Sequence, residues 1–357
     1  MKTLLLNPGP VTLTARVRQS LLQPDLCHRE SEFYDLQDEA RGRLLNVYRL
    51  DPQRWSAVLM TASGTGAVES MIASLVPRQG RLLIVQNGVY GERIAAMAKQ
   101  YGIEHVPLVH DWMAAPDPAA IARCLDTDGP FTHVAIVHHE TTTGRLNGLR
   151  EIGALCGSRG VRLLVDAVSS FGAEAIDFDE AHMDAVAATA NKCLHGVPGA
   201  SFVIAAREAI ERGTSRAYYF DLARLARMQA ARNTPFTPSV HAYYALVEAL
   251  REFEDEGGVR ARHARYAALA EQVRSGLASR GIASVLPPEQ SSVVLRSYDL
   301  PPGVAYEPLH DALKARGFVI YAGQGDLSKQ LFRISTMGDI HAPDIDRLLL
   351  AFDELMR

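Results

Sequence analysis

The sequence predicts an α/β fold in which helices cover a large, doubly wound, mostly parallel sheet. Between residues 56 and 205, short apolar runs rich in β-branched side chains alternate with segments of helical spacing. Polar residues gather where the apolar runs end, as they do at the carboxyl edge of an open parallel sheet. Gly257 and Gly258 interrupt two strongly helical segments, and the pattern beyond them predicts a smaller α+β domain.

Each predicted element follows from its residue pattern. Apolar residues that recur every three or four positions predict helices, whereas short uninterrupted apolar runs predict buried strands. The predicted helices span residues 31–47, 68–75, 92–101, 118–125, 150–159, 240–256, 259–280 and 342–356. The predicted strands span residues 1–6, 56–61, 81–85, 105–108, 133–138, 162–166, 183–190, 201–205, 293–296, 319–321 and 331–335. We therefore expect a large domain over residues 14–256 and a small domain formed by residues 1–13 and 257–357.

The composition is that of a soluble globular protein. Of its 357 residues, 47% are hydrophobic and 22% are charged, the net charge is −4, and no basic tract stands out. No signal peptide and no apolar run of membrane-spanning length are apparent. Cys27, Cys124, Cys156 and Cys193 are widely spaced, which is typical of reduced thiols. We expect a cytoplasmic protein whose partners are small molecules rather than nucleic acid or membrane.

A carboxylate and an amine are predicted at neighbouring strand ends. Asp166 closes the apolar run of residues 162–166, and Lys192 follows the run of residues 183–190. Such a pair suits pyridoxal 5′-phosphate (PLP), because a lysine can form a Schiff base with it while a carboxylate keeps the pyridine nitrogen protonated. Taken alone, a helix-capping aspartate and a lysine in a solvated turn are the commoner explanation of this pattern.

Two further strand exits carry residues that suit a phosphate and a ring. Ser63, Gly64, Thr65 and Gly66 lie between a strand and a helix, where free backbone N–H groups and the helix dipole favour a phosphate. They match neither the dinucleotide fingerprint nor a Walker loop. Tyr90 lies between glycines at the next exit, where its ring either faces the crevice or packs in the core.

The histidines before Glu140 do not indicate a metal site. His138, His139 and Glu140 reproduce the H-x-E spacing of zinc deaminases, but no P-C-x-x-C segment follows. No H-E-x-x-H motif occurs elsewhere in the chain. We therefore expect no metal cofactor.

Six motifs in order resemble the class V aminotransferases of fold type I over the whole chain. The matching stretches are residues 6–10 (LNPGP), 140–144 (ETTTG), 165–172 (VDAVSSFG), 190–199 (ANKCLHGVPG), 317–321 (GFVIY) and 332–334 (FRI). Within that class they are most similar to the 2-aminoethylphosphonate:pyruvate aminotransferases. The resemblance implies a PLP-dependent enzyme that moves the amino group of 2-aminoethylphosphonate to pyruvate, giving phosphonoacetaldehyde and L-alanine.

The resemblance also implies roles for individual residues. Lys192 would carry the cofactor and shuttle a proton, and Asp166 would pair with the pyridinium. Tyr90 and Val168 would cover the two ring faces, and Thr141 would contact the ring hydroxyl. The full set of expected cofactor contacts is Ser63, Gly64, Thr65, Gly66, Tyr90, Thr141, Asp166, Val168, Asn191, Lys192 and, from a second subunit, Thr237. Because this family builds its site at a dimer interface, we expect a homodimer with shared active sites.

Substrate contacts are expected at Asn7, Gly9, Arg29 and Arg333. Arg333 matches the arginine that fixes the acidic group of the donor or acceptor, with the backbone near Asn7 and Gly9 beside it. Arg29 lies in a His-Arg segment closer to that of alanine–glyoxylate and serine aminotransferases. It either adds a second positive charge for a phosphonate or forms a salt bridge with Glu30.

Three other functions are open at this point. An alanine or serine:glyoxylate (or pyruvate) aminotransferase shares nearly all of these residues. A cysteine desulfurase needs a nucleophilic cysteine late in the chain, whereas Cys193 is the last one. A nucleotide-binding or interaction module is the alternative if the glycine-rich turn is the only ligand site.

Overall fold

The structure is a computed structural model in which residues 3–355 are described, and it confirms the α/β architecture. The strands are β1 (Leu4–Leu5), β2 (Trp55–Met60), β3 (Arg81–Gln86), β4 (Glu104–Val109), β5 (His133–Val137), β6 (His139–Glu140), β7 (Arg145–Leu146), β8 (Arg162–Asp166), β9 (Met183–Thr189), β10 (Ser201–Ala206), β11 (Leu295–Asp299), β12 (Phe318–Val319), β13 (Tyr321–Ala322) and β14 (Leu331–Ser335). The α-helices are α1 (Ala15–Ser20), α2 (Ser31–Asn46), α3 (Gly64–Leu75), α4 (Val89–Gln100), α5 (Pro118–Thr127), α6 (Leu149–Gly157), α7 (Arg207–Arg212), α8 (Leu222–Ala230), α9 (Val240–Asp255), α10 (Gly258–Ala278), α11 (Tyr306–Ala315) and α12 (Ala342–Leu355). Residues 1–2 and 356 of two predicted elements lie outside the described residues.

A seven-stranded sheet in the order β2-β10-β9-β8-β5-β3-β4 forms the centre of the molecule. Strand β10 runs antiparallel to both of its neighbours, and the other pairings are parallel. Because β10 opposes both β2 and β9, strand β2 points in the same direction as the parallel strands. The carboxyl ends of β2, β3, β5, β8 and β9 therefore lie at one edge of the sheet, where α/β proteins bind ligands.

Helices bury both faces of this sheet, which explains why its central strands read as continuous apolar runs. Side chains alternate along β8: Leu163 and Val165 join the core on one face, whereas Leu164 joins the core that α3 covers. Asp166 shares its face with Leu164 by the same alternation. The strand thus directs its terminal carboxylate toward the side of the sheet on which the glycine-rich helix lies.

The C-terminal part of the chain forms a three-stranded antiparallel sheet, β11-β14-β13, packed with α10, α11 and α12. Strand β1 pairs in parallel with β12, so the N-terminal segment joins this part of the molecule. The division at residues 13/14 and 256/257 stays a prediction, and the β1–β12 pairing supports it. Gly257 and Gly258 have φ of 104° and 72° and join α9 to α10, a conformation that favours glycine.

Some predicted boundaries were wrong. Helix α3 begins at Gly64 rather than residue 68, so the glycine-rich turn is the first turn of the helix itself. The strand expected at residues 319–321 is divided at Ile320 between β12 and β13, which belong to different sheets. Helices α1, α7, α8 and α11 were missed, because short amphipathic segments depend on tertiary packing more than on propensity. Within residues 3–355, no helix has the length and apolarity needed to cross a membrane.

Candidate active site

Asp166 and Lys192 lie at the carboxyl edge of the sheet, at the ends of the neighbouring strands β8 and β9. The strands pair in parallel, with Asp166 opposite Ala187, and Lys192 follows β9 after a two-residue turn. Burial raises the pKa of the Asp166 carboxyl, while a hydrogen bond from Val168 N (2.9 Å) and the charges of Lys192 and Arg93 act in the opposite direction. The predicted proximity of acid and amine is therefore present.

Lys192 is surrounded by three groups that fix its side chain. Its Nζ donates a hydrogen bond to Ser169 Oγ at 2.7 Å and lies 5.9 Å from the ring centroid of Tyr90. On another side, a Cβ built on Gly9 would lie 3.1 Å from Lys192 Cγ. A side chain at position 9 would therefore crowd Lys192. Ser169 was within a motif quoted above, but nothing in the sequence distinguished it from Ser170.

Gly64 and Val168 pack directly against each other, and Val168 follows Asp166 by two residues. A Cβ on Gly64 would lie 2.6 Å from Val168 Cγ1 and 3.4 Å from Thr189 Cβ, so only glycine fits without a shift. Asn191 is held nearby, because Thr189 Oγ1 donates to Asn191 Oδ1 at 2.8 Å. Helix α3 therefore begins against Val168, the residue expected to cover one ring face.

The start of α3 is suited to a phosphate. Ser63 is the N-cap residue, but its side chain makes no capping hydrogen bond, so it leaves the first amides of the helix available. Gly66 lies against Phe220, since a Cβ there would lie 3.0 Å from the Phe220 ring. Thr65 Oγ1 accepts a hydrogen bond from Arg93 Nη1 at 3.3 Å. Sequence analysis missed Arg93, whose only local signal is its place one helical turn after Tyr90.

Arg333 is fully buried and still has an unpaired donor. Its Nε donates to Ala322 O at 2.8 Å and its Nη1 to Thr141 O at 2.7 Å, whereas Nη2 has no hydrogen-bond partner within residues 3–355. Burial lowers the pKa of Arg333, and nearby groups that include Tyr90 and Glu140 act in the opposite direction. A buried guanidinium with a free N–H group is a receptor for a carboxylate or phosphonate oxygen.

The residues present fit PLP on observations of this structure. Thr141 Oγ1 is buried and has no hydrogen-bond partner among the described residues, so it is free to meet a ring hydroxyl. The start of α3, which has no side-chain cap, suits a phosphate. Lys192 Nζ lies over the Tyr90 ring, 5.9 Å from its centroid. Within the described range, no three His, Cys, Asp or Glu side chains are grouped so that they could hold a metal ion.

For three predicted site residues, the contacts described within the single chain do not involve Lys192 or Asp166. Thr237 is exposed and lines a shallow hollow with Thr61 and Tyr219, which does not include Lys192 or Asp166. Arg29 is exposed, and its Nε lies 3.4 Å from His28 Nε2. The third is Asn7, whose Nδ2 donates to Pro10 O at 3.1 Å, within its own loop.

The chain has the fold of the PLP-dependent enzymes of fold type I, with a lysine amine and a buried carboxylate at one edge of a mostly parallel sheet, beside the start of a helix. Within them the chain belongs to the class V aminotransferases, since residues 20–348 match the family model described as aminotransferase class-V.

Curated relatives and solved structures are similar to this chain over nearly its full length. It is 39% identical to a 2-aminoethylphosphonate–pyruvate transaminase of Aeromonas hydrophila subsp. hydrophila, over 98% of this chain and 93% of that protein. It is 37% identical to one from Bacillus mycoides, over 97% and 96%. An alanine–glyoxylate aminotransferase from Nostoc sp. has a TM-score of 0.93 at 28% identity, covering 100% and 96% of the two chains. An aspartate aminotransferase of subgroup IV from Thermus thermophilus has a TM-score of 0.90 at 28% identity, covering 99% of each.

Proposed function

We propose that this enzyme transfers the amino group of 2-aminoethylphosphonate to pyruvate, giving phosphonoacetaldehyde and L-alanine. The observation that carries the proposal is the similarity, over nearly the whole chain, to relatives that bear this name. The buried Arg333, with its unpaired Nη2, supports it chemically. A phosphonate by analogy with a phosphate monoester carries a charge of about −1.5 to −2 near pH 7, and its removal from water requires donors of this kind.

Each side chain of the site has a separate role in the proposed reaction. PLP, when bound, supplies an electron sink for the bond that breaks at the amino-bearing carbon. Lys192 Nζ would remove the proton from that carbon, since it is an amine that lies 5.9 Å from the ring centroid of Tyr90, the expected cover of one cofactor face. Asp166 would keep the ring nitrogen of the cofactor protonated, and its buried position would strengthen that interaction. Arg333 binds the acidic end of the donor and then the carboxylate of pyruvate.

We further propose that the enzyme is a homodimer in which Thr237 of one subunit completes the phosphate site of the other. An exposed aromatic surface beside Thr237 supports this: Tyr218 is 74% and Tyr219 38% exposed, and Phe236 stacks on Tyr219 at 4.6 Å. Exposed aromatic clusters are typical of protein interfaces. We also propose that Arg29 provides a second positive charge for the substrate. A cytoplasmic location is proposed as well, and the four free cysteines support it.

Alanine formation tests the function directly. The purified protein, supplied with PLP, is incubated with 2-aminoethylphosphonate and pyruvate, and alanine and the aldehyde are quantified. We expect both products in equal amounts, and no product from Lys192→Ala. The same assay is run with alanine or serine as donor and glyoxylate as acceptor. Faster turnover with that second set, and no alanine with the first, would assign the alanine/serine:glyoxylate activity instead.

The oligomeric state is tested separately. Light scattering of the purified protein should give twice the mass of one chain. Thr237→Val should then weaken PLP binding without dissociating the dimer, because the hydroxyl rather than the interface is lost. A monomer with full activity would refute the shared site.

A further inference from the structure

The backbone on both sides of Tyr90 is tied to one short segment of the chain. Val89 N donates a hydrogen bond to Thr142 Oγ1 at 3.0 Å, and Gly91 N donates to Glu140 Oε2 at 3.4 Å. The residues immediately before and after Tyr90 are therefore held by two side chains from the strand exit that follows β5. These bonds also satisfy N–H groups in the first turn of α4, which have no partner within the helix.

The Glu140 side chain packs tightly against Gly88, in the turn that precedes Tyr90. A Cβ built on Gly88 would lie 2.3 Å from Glu140 Cδ, so the carboxylate occupies the place of that missing side chain. Glu140 Oε1 also accepts hydrogen bonds from Thr142 Oγ1 at 2.6 Å and Thr142 N at 3.1 Å. Both Glu140 and Thr142 are completely buried. Such a carboxylate, with all its partners supplied by the protein, has few alternative positions.

The same segment also holds the arginine expected to bind the substrate. Arg333 Nη1 donates to Thr141 O at 2.7 Å, and Thr142 Oγ1 lies 3.2 Å from Gln324 Oε1. Arg333 and Gln324 belong to the C-terminal part of the chain, whereas Tyr90 belongs to the large sheet. Residues 140–142 therefore contact both the segment around Tyr90 and the C-terminal residues Gln324 and Arg333.

We propose that Glu140 and Thr142 are positioning residues, which set the ring of Tyr90 relative to Lys192 and Arg333. The inference rests on the proposed role of Tyr90 as the aromatic cover of the cofactor, but not on the identity of the amino donor. Each residue acts through a backbone N–H group next to Tyr90: Thr142 through Val89 N and Glu140 through Gly91 N. The two side chains therefore determine how well the ring is placed, not whether the reaction is possible.

The three consecutive threonines offer a matched comparison. Thr142 accepts the bond from Val89 N, whereas Thr143 is equally buried and its Oγ1 has no partner among residues 3–355. Thr142→Val leaves the partly buried N–H group of Val89 without its acceptor, whereas Thr143→Val removes a hydroxyl that has no hydrogen-bond partner among residues 3–355. We expect Thr142→Val to weaken PLP binding by about 5- to 30-fold and Thr143→Val to leave it unchanged. Thr142→Ser, which keeps the hydroxyl, should restore binding.

A double-mutant cycle separates positioning from general stability. PLP affinity is titrated on the apoprotein, and the visible circular dichroism of the bound cofactor is recorded for Thr142→Val, Tyr90→Ala and the double variant. We expect Thr142→Val to change both signals in the presence of Tyr90 and neither in the Tyr90→Ala protein. If Thr142→Val cannot be purified, Glu140→Gln takes its place in the same cycle.

Two results would overturn the proposal. One is an additive cycle, in which the Thr142 substitution weakens PLP binding equally with and without the Tyr90 ring. The other is an equal effect of Thr143→Val, which would show that any change in this buried segment disturbs the site. Because PLP binding is the readout, a failure of the proposed amino donor does not alter either outcome.

Discussion

The backbone of Gly9 runs so close to Lys192 that a β-carbon on Gly9 would crowd the lysine side chain. A Cβ added to Gly9 would be 3.1 Å from Lys192 Cγ and 3.3 Å from Lys192 Cε, and Gly9 has φ of 120°. The loop that carries Gly9 follows β1, which pairs with β12, whereas Lys192 follows β9 of the large sheet. The position of the lysine amine therefore depends on how the N-terminal segment packs across the site.

Gly9→Ala should impair the site more than the fold. The new methyl group crowds Lys192, and a side chain at this φ adds strain on the order of 1–3 kcal/mol. We expect weaker PLP binding and a lower kcat, measured by titration of the apoprotein and by steady-state kinetics. Gly199→Ala is the control, since Gly199 has a similar φ (111°) but the atom nearest to an added Cβ, Ala242 Cβ, would be 3.6 Å away, an ordinary contact. Equal losses in both variants would mean that strain alone, and not contact with Lys192, is responsible.

Gly64 and Val168 should behave as a coupled pair. A methyl group on Gly64 would meet Val168 Cγ1 at 2.6 Å, which forces either helix α3 or the valine to move. We expect Gly64→Ala to weaken PLP binding by about 5- to 150-fold, because overpacking typically costs about 1–3 kcal/mol. Val168→Ala in the same protein should recover part of that loss. Independent, additive effects of the two substitutions would contradict direct contact as the cause.

Local patterns predicted that Asp166 and Lys192 lie at neighbouring strand ends, but not which side chains surround them. Asp166, Lys192 and the glycine-rich turn follow apolar strands, so their position at the sheet edge could be predicted from sequence alone. The contacts of Ser169 could not, because Ser169 Oγ meets Lys192 whereas the adjacent Ser170 Oγ bonds to His138. That difference arises from the turn after β8, and adjacent residues in a turn face different neighbours.

Long-range contacts explain the other failures. Glu140 lies at a strand exit in the sequence, but its hydrogen bond to Gly91 joins residues 49 positions apart. The apolar run around Ile320 reads as one strand, and only the pairing of β1 with Phe318–Val319 and of β14 with Tyr321–Ala322 divides it. Strand partners of this kind depend on tertiary contacts, so the local periodicity of the sequence does not predict them.

Arg333→Lys should separate substrate binding from cofactor binding. Lysine presents one ammonium group and cannot bond Ala322 O, Thr141 O and an anion in the fixed geometry of a guanidinium. We expect KM for donor and acceptor to rise by about 10- to 100-fold, since charged hydrogen bonds contribute about 1.5–3 kcal/mol, while PLP affinity changes little. Arg296→Lys on the paired strand β11 is the control for a buried arginine. An unchanged KM in Arg333→Lys would exclude the arginine as the acid-binding group.

Two buried histidines should make the protein less stable in mild acid. Burial lowers the pKa of both His138 and His139 to about 4, against about 6.5 in an unfolded chain. Both are therefore neutral in the fold, whereas the unfolded chain binds protons as the pH falls below about 6.5. Their contribution to the free energy of unfolding is complete above that pH and decreases between about 6.5 and 4, by up to roughly 3 kcal/mol for each histidine.

Urea unfolding of the wild type and of His138→Gln combined with His139→Gln checks this dependence. Between pH 6.5 and 5 the wild type should lose about 2 kcal/mol per histidine more than the double variant. The comparison between proteins is needed because Glu140, whose pKa burial raises to about 7, changes stability in the opposite direction over part of this range. Parallel curves for the wild type and the double variant would show that the two imidazoles bind protons as readily in the fold as in the unfolded chain.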